Sequence, residues 1–301
     1  MSELLEGLGV AFERDVPLGP LTWYAIGGRA SVLAHPRGAG EVAAIVKRCR
    51  DARAPIYILG KGANLLVADE GVSGVVMVLD EGELRDFKVD ATRATAVAGG
   101  WADLEKLITA TVREGLAGLE VLAGIPASIG GAIRMNAGGA FGSVGPLVRD
   151  VTVITPAGER RTITRDELRF DYRRSNVGDN IVVEATFELT RVSDQPALRQ
   201  KLKEVMAYKK STQPMAERSA GCAFKNPPKD RSERGAGKLI DDAGLKGLTI
   251  GGASVSHRHA NFVVVNDAGT ASDVLAVMRE VQRVVKDKFG IELEREVVVW
   301  P

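Results

Sequence analysis

The segment GLEVLAGIPASIGGAIRMNAGGAFG, residues 118–142, combines seven glycines with very little side-chain bulk. Pro126 fixes one turn, and the pairs Gly130-Gly131 and Gly138-Gly139 enclose a short apolar stretch. A segment with so few large side chains is suited to hold an extended ligand against its main chain. A buried, closely packed crossing of two chain segments is the alternative interpretation.

A second glycine loop lies earlier in the chain, in ILGKGANLL, residues 58–66. Gly60 and Gly62 directly follow an apolar strand, and glycine there lets main-chain N–H groups approach an anion closely. Neither the dinucleotide fingerprint G-x-G-x-x-G nor the phosphate-binding motif G-x-x-x-x-G-K-[ST] occurs in this loop. Alone, the loop is equally consistent with a tight turn between strands. The two loops together indicate an extended nucleotide cofactor held by the main chain.

The remaining sequence mixes helices and strands without the regular alternation of a doubly wound parallel sheet. Either Thr270 or Ser272 would be the N-cap residue of the last helix. Residues 191–200 lose the apolar pattern and contain a proline, which places a domain boundary there. The fold class is therefore predicted to be α+β. Apolar spacing predicts helices at 38–53, 101–116, 197–213, 236–247 and 270–290, and strands at 56–60, 72–79, 93–100, 148–164 (a hairpin), 180–189, 261–266 and 291–300.

Composition excludes several classes of function. The chain of 301 residues has a net charge of +1, which argues against a broad nucleic-acid-binding surface. No apolar run approaches the roughly 20 residues needed to cross a bilayer, and the opening MSELLEGLGVAFERD lacks the apolar core of a signal peptide. Three histidines and two distant cysteines, Cys49 and Cys222, offer no metal site and fit a reducing compartment. We therefore expect a cytoplasmic protein that binds neither metal, nucleic acid nor membrane.

Seven stretches of the chain, in this order, resemble the UDP-N-acetylenolpyruvoylglucosamine reductase family. Any one of them alone would be a weak signal, but seven in the family's order are specific, and the resemblance covers nearly the whole chain. The stretches are LGKGANLLVADEGVSGVVM (59–77), GLEVLAGIPASIGGAIRMNAGG (118–139), DYRRS (171–175), GCAFKNPP (221–228), AGKLIDDAGLKG (236–247), GGASVSHRHANFVVVN (251–266) and FGIELEREV (289–297).

The resemblance implies an FAD-binding domain of the vanillyl-alcohol-oxidase (PCMH) type followed by a substrate-binding domain. Two α+β subdomains, at 1–75 and 76–192, would form the FAD-binding domain, and residues 193–301 the substrate-binding domain. FAD would be bound noncovalently between the subdomains, with its pyrophosphate held by main-chain N–H groups. By motif match the cofactor-binding residues are Gly60, Lys61, Gly62, Ala63, Asn64, Leu65, Gly124, Ile125, Pro126, Ser128, Gly131 and Ala132.

The implied reaction uses NADPH to reduce FAD, and the flavin then gives hydride to carbon 3 of UDP-N-acetyl-3-O-(1-carboxyvinyl)-glucosamine. Negative charge develops toward the carboxylate, and carbon 2 must receive a proton. Arg173 in DYRRS matches the family's carboxylate-binding arginine, and Glu296 in ELEREV matches the glutamate that helps to stabilise the enol. Motif matching alone separates these two from their neighbours Arg174, Glu292 and Glu294.

Cys222 in GCAFKNP occupies the position where the family usually has a serine that donates the proton. A thiol with an ordinary pKa of about 8.5 is a much stronger acid than an alcohol, so proton donation remains feasible. The longer carbon–sulfur bond changes the alignment of the donor, and a thiol is open to oxidation. The alternative is that Cys222 is a small buried side chain and that water donates the proton.

Other polar residues near this motif are weaker candidates. Lys225 and Asn226 match positions that contact the diphosphate or sugar of the substrate, although Lys225 is equally typical of a surface lysine. Gln213 and Arg218 precede the motif and are candidates for contact with FAD or substrate. The histidines at 257 and 259 match no catalytic position, which favours structural or solvent-facing roles.

Two other functions are compatible with the same pattern. A sugar or lactone oxidase of the same flavin fold would tether FAD through His or Cys, but His35 is the only histidine in the flavin domain and lies outside both glycine loops. A flavin- or nucleotide-binding protein without turnover would not need Arg173 and Glu296. The short connection at 181–200 leaves little room for the insertion that carries a substrate-facing tyrosine in one branch of the family. The chain therefore resembles the shorter branch, and the resemblance implies a monomer.

Overall fold

Six α-helices lie within residues 4–301, the part of the chain that the computed structural model describes. They are α1 (Ala39–Asp51), α2 (Leu104–Arg113), α3 (Ile129–Arg134), α4 (Gln195–Thr212), α5 (Ala236–Asp242) and α6 (Ala271–Phe289). Five of them confirm predicted helices. The short α3 is absent from the prediction because six residues with two adjacent glycines give no periodic apolar signal. Residues 1–3, which open both the predicted subdomain 1–75 and the stretch considered for a signal peptide, lie outside the described residues.

Strands are interspersed with these helices along the whole described chain, which confirms the predicted α+β class. The terminal strand is shorter than predicted and begins at Val298, because residues 294–296 pair with a different segment. The strands are β1 (Ala11–Pro17), β2 (Arg29–His35), β3 (Ile56–Leu59), β4 (Leu65–Val67), β5 (Val72–Val78), β6 (Phe87–Asp90), β7 (Thr95–Gly99), β8 (Leu116–Ala117), β9 (Gly138–Gly139), β10 (Gly142–Ser143), β11 (Val148–Ile154), β12 (Arg160–Thr164), β13 (Phe170–Asp171), β14 (Arg174–Ser175), β15 (Ile181–Glu188), β16 (Thr190–Arg191), β17 (Thr249–Ile250), β18 (Ala253–Val255), β19 (Val263–Val265) and β20 (Val298–Trp300).

The chain divides into two compact units, and the first comprises Met1–Val16, Ser31–Lys61 and Ser73–Lys209. It contains a four-stranded sheet in the order β1-β2-β5-β3, in which β3 and β5 run parallel. A five-stranded sheet in the order β12-β11-β15-β7-β6 is antiparallel throughout. The hairpin β13-β14 and the short pairs β8-β16 and β9-β10 belong to the same unit.

The first unit has two amphipathic helices, α1 and α2, whose apolar faces are buried in two different cores. In α1, Ile45 and Cys49 lie four residues apart on one face and are buried in a core with β5. In α2, Leu104 and Leu107 are buried in a second core with β7 and β15. Asp103 begins α2 by accepting hydrogen bonds from two N–H groups of its first turn. Sequence periodicity therefore identifies both helices correctly.

The second unit comprises Pro17–Ala30, Gly62–Val72 and Lys210–Pro301. Its antiparallel sheet β17-β18-β19 packs with α5 and α6, and β4 runs parallel to β20. Thr270 and Asp273 form a reciprocal capping box at the start of α6, with both bonds at 3.1 Å. Thr270, and not Ser272, is therefore the cap.

The two units do not follow the linear order of the chain, since residues 17–30 and 62–72 pack with the C-terminal third. The division into 1–75, 76–192 and 193–301 stays a prediction about subdomains. No helix among residues 4–301 combines the length and the apolar character that spanning a membrane requires.

Candidate functional site

The start of the first glycine loop packs directly against the second glycine loop. A Cβ atom on Gly60 would lie 2.5 Å from the Ser128 Oγ atom, so this approach requires glycine. Ser128 Oγ begins α3 by accepting the Gly131 N–H at 3.3 Å. Gly130 N–H donates to the Gly100 carbonyl at 2.6 Å, which joins the second loop to the end of β7. Three of the predicted cofactor residues, Gly60, Ser128 and Gly131, therefore lie together in the first unit.

Lys61 is held beside these glycines by a carboxylate and an aromatic ring. Its Nζ atom lies 3.0 Å from Asp103 Oδ2 and 4.2 Å from the centre of the Trp101 ring. Burial raises the pKa of Asp103, but hydrogen bonds from Lys61 and from the N–H groups of Lys106 and Glu105 outweigh it, so the pKa lies below its usual value. Lys61 is therefore already neutralised in part.

The residues around this point fit a bound molecule with acceptor atoms. Trp101 Nε1 is buried and has no hydrogen-bond partner within the described chain, although buried donors are normally paired. Trp101 follows Gly99 and Gly100, and the adjoining main chain pairs with the second loop through Ile129 N–H and Ala102 O at 3.0 Å. An unsatisfied donor beside glycine-lined main chain is the environment that a nucleotide cofactor would complete.

The rest of the first loop belongs to the second unit and braces the end of the chain. Gly62 has φ +63°, and a Cβ there would lie 2.3 Å from the Leu21 carbonyl oxygen. The Asn64 side chain donates an N–H to the Glu296 carbonyl at 3.2 Å, and the Asn64 main-chain carbonyl accepts the Val298 N–H at 3.1 Å. Leu65 is buried in β4, and Ala63 is half-buried. Asn64 and Leu65, predicted as cofactor residues, thus position Glu296 and β20.

Arg173 lies on a hairpin, β13-β14, that is hydrogen-bonded to the second glycine loop. Asn136 fixes the hairpin, because its side chain donates to the Asp171 carbonyl at 2.9 Å and accepts the Gly145 N–H at 3.0 Å. Arg173 lies in the turn between β13 and β14 with φ +55°, a strained conformation for a residue with a side chain. Its guanidinium lies 5.2 Å from the centre of the Tyr172 ring. Sequence reasoning missed Asn136, although it lies within the quoted motif.

The remaining residues of the second loop shape its path. Gly124 has φ +70°, and Ile125 N–H closes the preceding turn on the Leu122 carbonyl at 3.1 Å. Pro126 continues the connection to α3, in which Ala132 is buried in the core. Arg174, the neighbour of Arg173, is exposed and pairs with Asp171 at 2.9 Å.

In the second unit, the segment that carries Cys222 pairs with the segment that carries Glu296. Glu296 N–H donates to the Ala223 carbonyl at 2.9 Å, and Lys225 N–H donates to the Glu294 carbonyl at 2.8 Å. Cys222 is partly exposed and forms no disulfide, and Glu296 is half-buried. The structure therefore brings two of the three predicted catalytic residues together in this unit, with Glu296 opposite the residue that follows Cys222.

Buried Asn261 holds this pairing in place, and sequence reasoning missed it. Its side-chain oxygen accepts the Phe224 N–H at 3.0 Å, and its side-chain nitrogen donates to the Phe224 carbonyl at 2.8 Å. Its own carbonyl accepts the Ala223 N–H at 2.7 Å. An asparagine that pairs both groups of one residue fixes the register of that segment. The sequence feature that could have indicated this role is an amide residue at the start of the apolar stretch NFVVVN (261–266).

The two predicted substrate residues already have partners. Lys225 Nζ lies 2.6 Å from Glu294 Oε1, so this cation is paired with a neighbour of Glu296. Asn226 accepts the Ala236 N–H at 2.9 Å and thereby helps to begin α5. If Lys225 bound a substrate phosphate, that phosphate would replace the Glu294 carboxylate as its partner. Asn226 instead contributes by fixing the start of α5.

Arg218 and His259 take structural positions. Arg218 pairs with Asp267 at 2.5 Å on the surface. His259 accepts the Asn261 N–H at 3.2 Å, and burial lowers its pKa below the usual value. Gln213 accepts the Met215 N–H at 3.0 Å through its carbonyl. These contacts give no sign of a catalytic role for the three residues.

Comparison with known proteins finds the same similarity along nearly the whole chain. The family model for the UDP-N-acetylenolpyruvoylglucosamine reductase C-terminal domain matches residues 213–300, and an FAD binding domain model matches residues 30–164. The reductase of Heliobacterium modesticaldum is 43% identical, over 99% of this chain and 94% of that protein. That of Listeria innocua is 38% identical, over 96% and 95%. The crystal structure of the Thermus caldophilus reductase aligns with a TM-score of 0.82 and 36% identity, over 97% of this chain and all of that one.

The two cysteines should differ sharply in reactivity. Cys49 is fully buried in α1, and burial raises its pKa to about 11, whereas Cys222 is partly exposed. An aromatic disulfide reagent should therefore modify one thiol quickly in the native protein and two after denaturation. Cys222→Ser should abolish the fast reaction, and Cys49→Ala should leave it unchanged. Fast labelling that survives Cys222→Ser would contradict this assignment.

Removing the Asn261 side chain should destabilise the protein strongly. Asn261→Ala leaves the N–H and carbonyl groups of Phe224 buried without partners, which costs about 2–4 kcal/mol in the free energy of unfolding. Asn266→Ala is the matched control, because Asn266 is exposed and accepts only a local N–H through its side chain, so we expect less than about 1 kcal/mol. Denaturant unfolding measures both. Equal losses in the two variants would show that Asn261 is an ordinary loop residue.

Proposed function

The chain belongs to the UDP-N-acetylenolpyruvoylglucosamine reductase family, and from this we propose that it reduces UDP-N-acetylglucosamine enolpyruvate to UDP-N-acetylmuramate. FAD is its cofactor, and NADPH is the reductant in this proposal. The observation that carries the proposal is the pairing of the Cys222 segment with the Glu296 segment in a chain that is similar to these reductases over 99% of its length. The product would serve peptidoglycan synthesis in the cytoplasm.

FAD would be held mainly by main chain of the glycine loops. Gly60, Gly124 and Gly131 would let the cofactor approach closely, and Trp101 Nε1 would donate to one of its acceptor atoms. Because Lys61 already pairs with Asp103, main-chain N–H groups would carry most of the phosphate recognition. Bound FAD would supply the hydride that this reaction needs.

Arg173 would bind the carboxylate of the enolpyruvyl group. A planar guanidinium can form two parallel hydrogen bonds with a carboxylate. The turn at φ +55° and the bond from Asn136 to the Asp171 carbonyl hold the hairpin that presents it. Arginine in this position would orient the double bond and stabilise charge that moves into the carboxylate.

Cys222 would donate the proton that completes the reaction. When hydride adds to carbon 3, the π electron pair moves to carbon 2 and the carboxylate, and the thiol proton then forms the new C–H bond at carbon 2. The resulting thiolate regains its proton from water. Glu296, one residue across the strand pairing, would stabilise the enol form and orient the donor. Lys225 would contact the diphosphate after release from Glu294.

A tethered flavin oxidase, the second possibility in this fold, receives no support from His35. Its Nδ1 atom lies 2.9 Å from Asp80 and its Nε2 atom 3.4 Å from Glu13. Both ring nitrogens thus face carboxylates within the first unit, where they bridge neighbouring strands. The structural role of His35 leaves the reductase as the function that we propose.

Substrate-dependent consumption of NADPH tests the proposed function. The purified holoenzyme should oxidise NADPH rapidly only when UDP-N-acetylglucosamine enolpyruvate is present, and one UDP-N-acetylmuramate should form per NADPH. UDP-N-acetylglucosamine, which lacks the double bond, is the control and should not stimulate the reaction. Absorbance of NADPH and mass spectrometry of the nucleotide measure both. A rate of NADPH oxidation that is the same with and without the enolpyruvyl compound would refute the proposal.

Substitution of Cys222 separates direct proton donation from donation by water. Cys222→Ala should slow flavin reoxidation by the enolpyruvyl substrate by about 10²- to 10⁴-fold, the usual contribution of a general acid. Flavin reduction by NADPH should be unchanged, and Cys222→Ser should retain much of the rate because a hydroxyl can still donate. Stopped-flow absorbance resolves the two half-reactions. A wild-type rate in Cys222→Ala would mean that water is the donor.

A further inference from the structure

One lysine of the first unit is buried without a counter-charge. Lys209, near the end of α4, is 8% exposed, whereas Lys203 and Lys210 of the same helix are exposed. Burial, with repulsion from the Arg173 guanidinium, lowers the pKa of Lys209 to about 8. No carboxylate among residues 4–301 forms an ion pair with it. Burial of an unpaired cation is costly, so a functional reason for Lys209 is needed.

Other cations near the glycine loops are neutralised by carboxylates. Lys61 lies 3.0 Å from Asp103, and Lys201, two turns before Lys209 in α4, lies 3.1 Å from buried Glu120. Lys209 differs from both, because the charged group that acts on it is another cation. Two cations close together, one of them buried and unpaired, form a site that an anion would complete.

The Lys209 side chain lies against the second glycine loop. A Cβ on Gly124 would be 3.1 Å from Lys209 Cδ and 3.1 Å from Met206 Sδ, so the missing side chain at Gly124 leaves the room that the lysine occupies. Arg173 is joined to the same loop through Asn136. Both cations therefore border the loop that we propose to hold FAD, where the reacting end of the substrate would lie.

We propose that the Lys209 ammonium and the Arg173 guanidinium together bind the carboxylate of the enolpyruvyl substrate and stabilise the second negative charge that develops on it. This inference rests on the proposed function. Hydride addition to carbon 3 moves the π pair into carbon 2 and the carboxylate, which carries two negative charges until Cys222 protonates carbon 2. Arg173 and Lys209 both bind the single charge of the carboxylate in the ground state, and their combined positive charge also balances the second negative charge that develops in the transition state.

The variants Lys209→Met, Lys209→Arg and Lys203→Met test this role. Lys209→Met removes the charge with little change in length, Lys209→Arg keeps it, and Lys203→Met removes an exposed lysine from the same helix as a control. Thermal unfolding and FAD content come first. Lys209→Met should be at least as stable as the wild type, because it removes a buried unpaired cation, whereas loss of a purely structural lysine would lower the unfolding temperature.

Calorimetric titration of the oxidised holoenzyme identifies the anion. UDP-N-acetylmuramate carries the carboxylate, and UDP-N-acetylglucosamine carries the same diphosphate without it. Lys209→Met should bind the first about 10- to 100-fold more weakly and the second as the wild type does, and Lys209→Arg should restore most of the affinity. Equal weakening for both nucleotides would assign Lys209 to the diphosphate and overturn the proposal. Unchanged binding of both, with an altered flavin spectrum, would assign it to the flavin and overturn it too.

The half-reactions separate failure of this inference from failure of the proposed function. Flavin reoxidation by the enolpyruvyl substrate should fall about 100-fold in Lys209→Met, with flavin reduction by NADPH and all rates of Lys203→Met unchanged. A wild-type enzyme that never reacts with the enolpyruvyl compound would remove the proposed function itself. A competent wild type matched in rate by Lys209→Met would remove only the role of the lysine.

Discussion

The candidate site of the second unit depends on one antiparallel contact between two segments outside the regular sheets. Glu296 N–H donates to the Ala223 carbonyl at 2.9 Å, and no long ladder on either side repeats that contact within the described chain. A slip of one residue would change which residue lies opposite Glu296. Asn261 prevents the slip by pairing both main-chain groups of Phe224. The orientation of the two segments that carry Cys222 and Glu296 therefore depends on a buried amide to which we assign no chemical role.

The first unit meets a different constraint, which is the close approach of main chain to main chain. Gly60 and Ser128 are so near that a single methyl group would not fit between them. Neither residue of this contact carries a charged side chain that could bind a phosphate, and Lys61 already forms an ion pair with Asp103. We therefore propose that N–H groups recognise the cofactor in this unit, including Trp101 Nε1, which has no hydrogen-bond partner among residues 4–301. The buried Lys209, whose side chain lies against Gly124 of the second loop, is subject to the positive charge of Arg173.

Sequence reasoning succeeds where the information is local or is carried by a motif. The helices α1, α2 and α6 are predicted correctly because their apolar residues recur at helical spacing, and Thr270 is a recognisable cap. Cys222 and Glu296 are assigned by motif match alone, since composition cannot distinguish Glu296 from its neighbours, and their catalytic roles stay predictions. Asn261 lies 37 residues from Phe224, and this contact leaves no trace in either local pattern. In the sequence, Lys209 and Lys210 are two adjacent lysines on a polar helix that cannot be told apart. The structure distinguishes them, because Lys209 is buried and Lys210 is exposed.

Sulfur at position 222 changes what the surrounding residues must provide. A hydroxyl has to be made more acidic by neighbouring groups before it can give up a proton at neutral pH, whereas an ordinary thiol has a pKa of about 8.5 and needs far less help. In the mechanism that we propose, placement of Cys222 would then matter more than activation, and the main-chain pairing and Asn261 fix the segment that carries it. The site in turn gains a partly exposed group that oxidants can reach, so its chemistry suits a reducing environment. In the same proposal, carbon 2 would need little electrostatic activation, and the two cations Arg173 and Lys209 would act instead at the carboxylate, where the charge of the intermediate would accumulate.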